Sequence, residues 1–421
     1  METGRMKVSL VDLVTSIARV VDIMSPAVGG HHLQVAYLAY RIGEALGLSV
    51  GERNELLVAG LLHDIGAFSL HNRLDIMAFE DLNPGRHARA GYYLLREFKP
   101  FSSAARLVKY HHVPWENGRG SYRDGETIPQ GSHILHLADR VAVKITKDRP
   151  VLAQVNEIRE AIQACGTAVF VPEHVRALME LTGRDYIWLE VASDFIESIL
   201  RQVFFHREQE LSFSDLLDFS RLVCRLIDFK SEFTATHSSG VAATAVALAK
   251  LAGFSGQERR MVEIAAYLHD LGKLSIPSEI IEKKDKLSEQ EWFVMRSHVY
   301  YTYQALAPFE MLSVVNAWGA LHQERLNGTG YPFGYTEDAL PLGARLIAVA
   351  DVFTALTEDR PYRKGLGRAD AANLLHLMAD NGELDQRLVD MVAGHFEDMN
   401  RIRQAAQRRA LDDYNLFASR M

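Results

Sequence analysis

The chain has 421 residues, 48% hydrophobic and 24% charged, the balance of a folded globular protein rather than a disordered one. With 46 basic residues against 54 acidic ones the net charge is −8, which argues against a general grip on DNA or RNA while leaving room for a local anion site. Cys165 and Cys224 form neither a zinc spacing nor a disulfide framework, no apolar run approaches ~18 residues, and the start carries no apolar signal segment. These features predict a reduced, cytoplasmic protein without a membrane segment.

In chain order, apolar residues recur near the 3.6-residue period over 9–24, 33–46 and 52–62, and again over 241–251 and 259–268. Val241, Ala245, Leu248 and Leu251, for example, fall on one face. Pro26, Gly29-Gly30, Gly47 and Gly253 punctuate the helices. No strand ladder is evident, so the predicted fold class is all-α. Residues 185–210 are apolar and free of Pro and Gly, which predicts a connecting helix, and the charged stretch 401–421 predicts a terminal one.

A long internal repeat organises the chain. His31-x-x-x-Val35-Ala36 returns as His237-x-x-x-Val241-Ala242, and Leu62-His63-Asp64-Ile65-Gly66 returns as Leu268-His269-Asp270-Leu271-Gly272, both at an offset of 206. His87 and His111 return as His298 and His322 at 211, and the Ala138-Asp139 region returns as Ala350-Asp351 at 212. Thr146-x-Asp148-Arg149-Pro150 matches Thr357-x-Asp359-Arg360-Pro361 at 211. Matches in one order with small drifts imply duplication of a whole domain. The expected domains are residues 8–200 and 208–400, with 401–421 as a tail.

The second half contains His237, His269, Asp270, His298, His322 and Asp351. Imidazole nitrogens and carboxylate oxygens suit Mn, Fe, Co, Ni or Zn. A carboxylate such as Asp270 has two oxygens with which to bridge two ions. Two ions ~3.5–4 Å apart would clamp a phosphoryl group and activate a water at neutral pH.

His269-Asp270-Leu271-Gly272-Lys273, followed by Asn327-Gly328-Thr329-Gly330-Tyr331-Pro332, resembles the HD-GYP family of the HD superfamily of metal-dependent phosphohydrolases. Ile276-Pro277, Leu287-Ser288-x-x-Glu291-Trp292, Ala350-Asp351-Val352-Phe353 and Asp359-Arg360-Pro361-Tyr362-Arg363 agree with it. The resemblance is strong over residues 225–395. It implies two tandem helical HD-type domains, two divalent first-row ions (Fe, Mn, Ni or Co) and hydrolysis of a cyclic dinucleotide, cyclic di-GMP first and cyclic GMP-AMP second. In that reading Asp270 bridges the ions, His237, His269 and Asp351 hold one, and His298 and His322 hold the other. Lys273 contacts the scissile phosphate, and Gly330, Tyr331 and Pro332 line the nucleotide pocket. Arg360 and Arg363 are candidates for the phosphates or guanine, with a surface or structural ion-pair role as the alternative.

Three positions depart from the family pattern. Gln323 stands where a second His is usual, Phe233 where trimetal members carry Glu, and Thr354 where Asp is common. The first half keeps His31, His63, Asp64, His87, His111, His112 and Asp139, a full candidate ligand set. It has Ala67 at the Lys position, and Val113-Pro114-Trp115-Glu116-Asn117-Gly118 where the GYP loop would lie. It therefore resembles a diverged HD domain. A regulatory or sensory role is expected, with relic histidines in a packing partner as the alternative. Two other readings of the whole chain remain: a nucleotidase or phosphomonoesterase of the HD superfamily, and a non-catalytic cyclic-dinucleotide receptor. A homodimer is neither required nor forbidden by the sequence.

Overall fold

The computed structural model describes residues 8–23, 30–67, 85–204, 211–230, 235–359 and 363–421. Backbone proximity divides the chain into two compact units, Ser9–Gln209 and Glu210–Arg420. Each is built almost wholly of helices.

The first unit opens with a helix at Leu10–Asp22, capped by Ser9, whose hydroxyl accepts the Asp12 N–H. The helices His31–Ala45 and Val50–Leu62 follow, then Gly85–Leu95, Ser102–Lys109 and Gln130–Lys144. The second unit repeats the set as Phe213–Asp228, His237–Leu251, Gly256–Leu268, Glu289–Leu306, Ser313–Ala320 and Leu342–Thr357. The caps repeat as well. Ser49 with Glu52, and Ser255 with Glu258, form reciprocal capping boxes at equivalent helix starts.

In each unit one helix is apolar almost all round and becomes the centre. Val35, Ala36, Leu38, Ala39 and Ile42 are fully buried, as are Val241, Ala245, Leu248 and Ala249. Burying one such Leu contributes about 1.5–3 kcal/mol. Small alanines between the large residues let neighbouring helices approach closely. Leu251, expected on the buried face, is 39% exposed because the helix ends there.

Within the all-α fold, three details differ from expectation. Residues 185–210 are not one helix. Asp185–Val191 and Ile196–Phe204 are separate, because Ser193 turns its hydroxyl onto the Phe195 N–H (3.0 Å) and breaks the periodic pattern. Residues 205–210 lie outside the described set. The chain also has a short antiparallel pair, Tyr122–Arg123 with Glu126–Thr127, turned by Asp124 and Gly125, both at positive φ. The terminal helix begins earlier than expected, spans Phe396–Ala418, and packs against the His237–Leu251 helix within the second unit.

Candidate metal centre

The His-Asp pairs sit where helices end. His269 caps the Gly256–Leu268 helix, and Asp270 leads into a short turn, so both side chains face inward. Gly272 lets that turn lie directly on the neighbouring helix, since a Cβ there would meet the His298 carbonyl oxygen at 1.9 Å. Thr302 fastens the contact, accepting the Gly272 N–H (2.9 Å) and donating to the His269 carbonyl (3.1 Å). Lys230 adds a clamp by donating to the carbonyls of Lys273, Leu274 and Ile276.

His237, His269, Asp270, His298, His322 and Asp351 converge. Ligand atoms of His237, His269 and Asp351 lie within 4.8 Å of one another, as do those of His269, Asp270 and His322. Asp270 faces both ways: Oδ2 is 3.1 Å from His269 Nε2, while Oδ1 is 3.2 Å from His298 Nε2 and 3.9 Å from His322 Nε2. Asp270 thus presents one oxygen to His269 and the other to His298 and His322.

The side chains also present the right atoms. Nδ1 of His269, His298 and His322 lies 2.6–2.8 Å from the carbonyl oxygens of Ala266, Met295 and Gly319. A carbonyl can only accept, so Nδ1 carries the proton and Nε2 is left as a lone pair. These three Nε2 atoms and Asp270 Oδ1 are buried without an aligned hydrogen-bond partner. Buried polar atoms left so are costly, and a divalent ion would satisfy them. The residues therefore fit a metal.

Electrostatics point the same way. Burial, with His269 nearby, holds His322 down at about 3, so its ring is neutral at pH 7. Burial opposes charge on His237, but the Glu358 and Asp351 carboxylates outweigh it and lift the imidazole to about 10. A cation between these groups would take the place of that proton. Asp270 and Asp351 are held below the usual carboxylate range: burial works against this, and His269 with Lys273, and His237, respectively prevail.

Lys273 lies at the centre with its ammonium 2.5 Å from Asp270 Oδ2. Gln323 does not replace the missing imidazole; its Nε2 donates to Asp351 Oδ2 at 3.3 Å. The Gly330-Tyr331-Pro332 loop is held by Glu324, whose buried carboxylate accepts the N–H groups of Phe333 (2.7 Å) and Tyr335 (3.0 Å). A Cβ at Gly330 would meet the Arg325 nitrogen at 2.3 Å. Burial raises the Tyr331 hydroxyl to about 12, so it stays a neutral donor. Hollows flank the centre. One of about 270 Å³ is walled by Phe293, Arg296, Tyr300, Tyr331 and Pro332, and one of about 370 Å³ by Gln323, Arg325, Asp351, Val352 and Arg363. Arg363 also donates to the Ala355 carbonyl (2.5 Å). Arg360 and Phe233 lie outside the described residues.

The first unit brings its own set together: His31, His63 and Asp64 form one group, and Asp64, His87, His111 and His112 another. Asp139 Oδ1 lies 3.2 Å from His31 Nε2. The loop there keeps Asn117-Gly118-Arg119-Gly120 against Asn327-Gly328-Thr329-Gly330, but continues with Ser121-Tyr122 in place of Tyr331-Pro332.

Sequence reasoning missed Glu358, which accepts from His237 Nδ1 (3.0 Å), and Arg296, whose guanidinium lies 4.6 Å from the Tyr331 ring centre. Glu358 is the variable position of the Thr-x-Asp-Arg-Pro repeat and carried no signal. Glu324 follows Gln323 in the sequence, and only the folded loop gives it a role.

Comparisons with known proteins agree with this geometry. Family models described as HD domains match residues 28–144 and 221–388. A 3′3′-cGAMP-specific phosphodiesterase 1 of Vibrio cholerae is 30% identical over 389 residues, covering 89% of each chain. A cyclic di-GMP phosphodiesterase response regulator of Xanthomonas campestris is 34% identical over 258 residues, 59% of this chain and 65% of that one. The crystal structure of a cyclic GMP-AMP-specific phosphodiesterase of V. cholerae superposes with a TM-score of 0.62 at 23% identity, over 96% of this chain and 98% of that one. That last likeness concerns the fold.

Proposed function

The chain belongs to the HD-GYP family of the HD superfamily of metal-dependent phosphohydrolases, with a second, diverged HD domain in tandem, and on that footing we propose that its second domain hydrolyses 3′3′-cyclic GMP-AMP. Its activity is that of a metal-dependent cyclic-dinucleotide phosphodiesterase. The choice of substrate is supported by the cyclic GMP-AMP-specific relative, which matches both domains, whereas the cyclic di-GMP response regulator matches 59% of the chain. Cyclic di-GMP, first on sequence alone, becomes the second candidate.

The single observation that carries the assignment to the second domain is the ammonium of Lys273 beside Asp270. Ala67 stands at the equivalent place in the first domain. When bound, divalent ions supply Lewis-acid polarisation of the phosphoryl oxygen and an activated water. His237, His269, His298, His322, Asp270 and Asp351 would hold them.

The remaining chemistry belongs to the chain's other side chains. Lys273 neutralises charge that grows on the phosphoryl oxygens as the bond to the leaving 3′-oxygen breaks. Glu358 fixes the His237 ring with Nδ1 protonated and Nε2 inward. Glu324 fixes the loop that carries Tyr331, whose neutral hydroxyl can donate. The two hollows give one base to the Arg296 side and the other to the Arg363 side, and guanidinium forks suit guanine or phosphate. The first domain then acts as a regulator.

A receptor reading is favoured by one observation, the amide of Gln323 turned onto Asp351. Turnover assays with Mn or Fe on 3′3′-cyclic GMP-AMP, cyclic di-GMP and a nucleoside monophosphate test both readings. A linear dinucleotide appearing fastest from cyclic GMP-AMP is expected. Binding without product would favour the receptor, and phosphate release from the monophosphate alone would favour a nucleotidase.

A further inference from the structure

We propose that the second domain carries a ligand site separate from its metal centre, a hollow of about 530 Å³ that takes guanosine monophosphate (GMP), with the base on Asp228 and the phosphate on Arg225 and Arg409. The inference does not depend on which dinucleotide is hydrolysed.

The hollow lies among four helices, Phe213–Asp228, His237–Leu251, Gly256–Leu268 and Phe396–Ala418. It exceeds either hollow beside the metal centre, about 270 and 370 Å³. Its volume falls within the ~300–1,000 Å³ of small-molecule sites. None of the residues that line it belongs to the His and Asp groups of the metal centre.

The duplicated domain shows that this frame does not have to leave a hollow. Ser239, Ala243, Val246, Glu263 and Tyr267 line it. At the offset of 206 the first unit has Leu33, Tyr37, Tyr40, Leu57 and Leu61 instead. Those five side chains are buried, and the Tyr37 hydroxyl donates to Glu190. The second unit therefore replaces packed bulk with small or polar side chains. Such a replacement costs stability when the space stays empty.

The lining is sorted by depth. Asp228 lies deep, 2% exposed, and its Oδ1 accepts the Ser238 hydroxyl at 2.6 Å. A carboxylate has about four lone-pair sites, so it can accept further donors. Guanine presents two adjacent donors, N1–H and N2–H, that match one carboxylate, whereas adenine offers a single amino donor on that edge. Phe229, Ala242, Val246, Ile402, Ala406 and Ala410 supply apolar wall for a base and ribose. Arginines stand on the open side. Arg221 and Arg225 pair with Glu263 (3.0 Å) and Asp413 (2.9 Å), and Arg409 is exposed with no ion pair among the described residues. Ion pairs this exposed are weak, and guanidinium forks bind phosphate oxygens in pairs.

Titration calorimetry of the metal-loaded full chain with GMP, AMP and inorganic phosphate tests this, with folding checked by thermal melting. GMP should bind about tenfold or more tightly than AMP or phosphate. Ala243→Tyr, which installs the first unit's side chain, should abolish that binding. Arg409→Ala should weaken it about tenfold. No binding of GMP to wild type, equal binding of AMP or phosphate, or wild-type affinity in folded Ala243→Tyr overturns the proposal. Should Ala243→Tyr fail to fold, Arg409→Ala decides, and an unchanged GMP affinity there overturns it equally.

Discussion

At the scale of single residues, the proposed function gives Lys273 a role at the phosphate and the His and Asp side chains a role in holding metal, and the two are separable by mutation. Lys273→Ala removes a cation without removing a ligand. Its kcat should fall by about 10²–10³-fold with metal content unchanged; equal loss of metal would make Lys273 part of the metal centre instead. Glu358→Gln keeps the shape but weakens the grip on His237 Nδ1. Apparent metal affinity should fall by about 10–100-fold, read by competition with a chelator. The residues that converge at the candidate centre were legible in the sequence, because His and Asp recur in one order in both halves, and duplication turns a weak His-Asp pair into a pattern. Glu358 and Arg296 were not legible, since neither falls on a repeated position and each acquires its role only when a distant segment arrives. Gln323 departs from the family pattern, and the fold gives it a partner, Asp351.

At the scale of elements, the loop after His322 sets how the substrate is received. Glu324 is buried and accepts two backbone N–H groups that no other residue serves within that loop. Glu324→Ala should therefore loosen Tyr331 and raise KM by about 10-fold or more, while retained metal stays constant. A change in metal content instead of KM would place Glu324 in the centre rather than in the loop. Helix identities followed from periodicity, but their starts did not. His31 and His237 begin helices, and the repeated ligand motif, not amphipathicity, marked them. The break at Ser193 escaped notice because neither Gly nor Pro announces it. The Asp124-Gly125 turn did carry a hairpin signal, but two-residue strands are too short to alternate visibly.

At the scale of the whole molecule, the offset of 206 to 212 residues made the two-unit organisation readable before any coordinates. What it left out is how unlike the two interiors are. The first unit buries His136 and His174 outside its cluster of His31, His63, Asp64, His87, His111 and His112. Burial, with Arg140, lowers His136 to about 3, and burial, with His133, lowers His174 to about 4. In the unfolded chain both titrate near 6.5. Below pH ~6.5 the unfolded state therefore takes up protons that the folded state refuses, and stability falls as pH drops toward 4. Each site approaches a slope of about 1.4 kcal/mol per pH unit. Denaturant titrations of metal-free protein at pH 7 and pH 5 should show that loss, and His174→Gln should show a shallower one. An unchanged slope in that variant would mean that His174 is protonated in the fold.

The division of labour between the two units is the central claim. Hydrolysis of 3′3′-cyclic GMP-AMP by Mn-loaded wild type, His269→Ala/Asp270→Ala and His63→Ala/Asp64→Ala tests it most directly, with folding checked by thermal melting. Product should vanish in the second-unit variant and persist, at an altered rate, in the first-unit variant. Loss of product only in the first-unit variant would place catalysis at His63 and Asp64 and contradict the account.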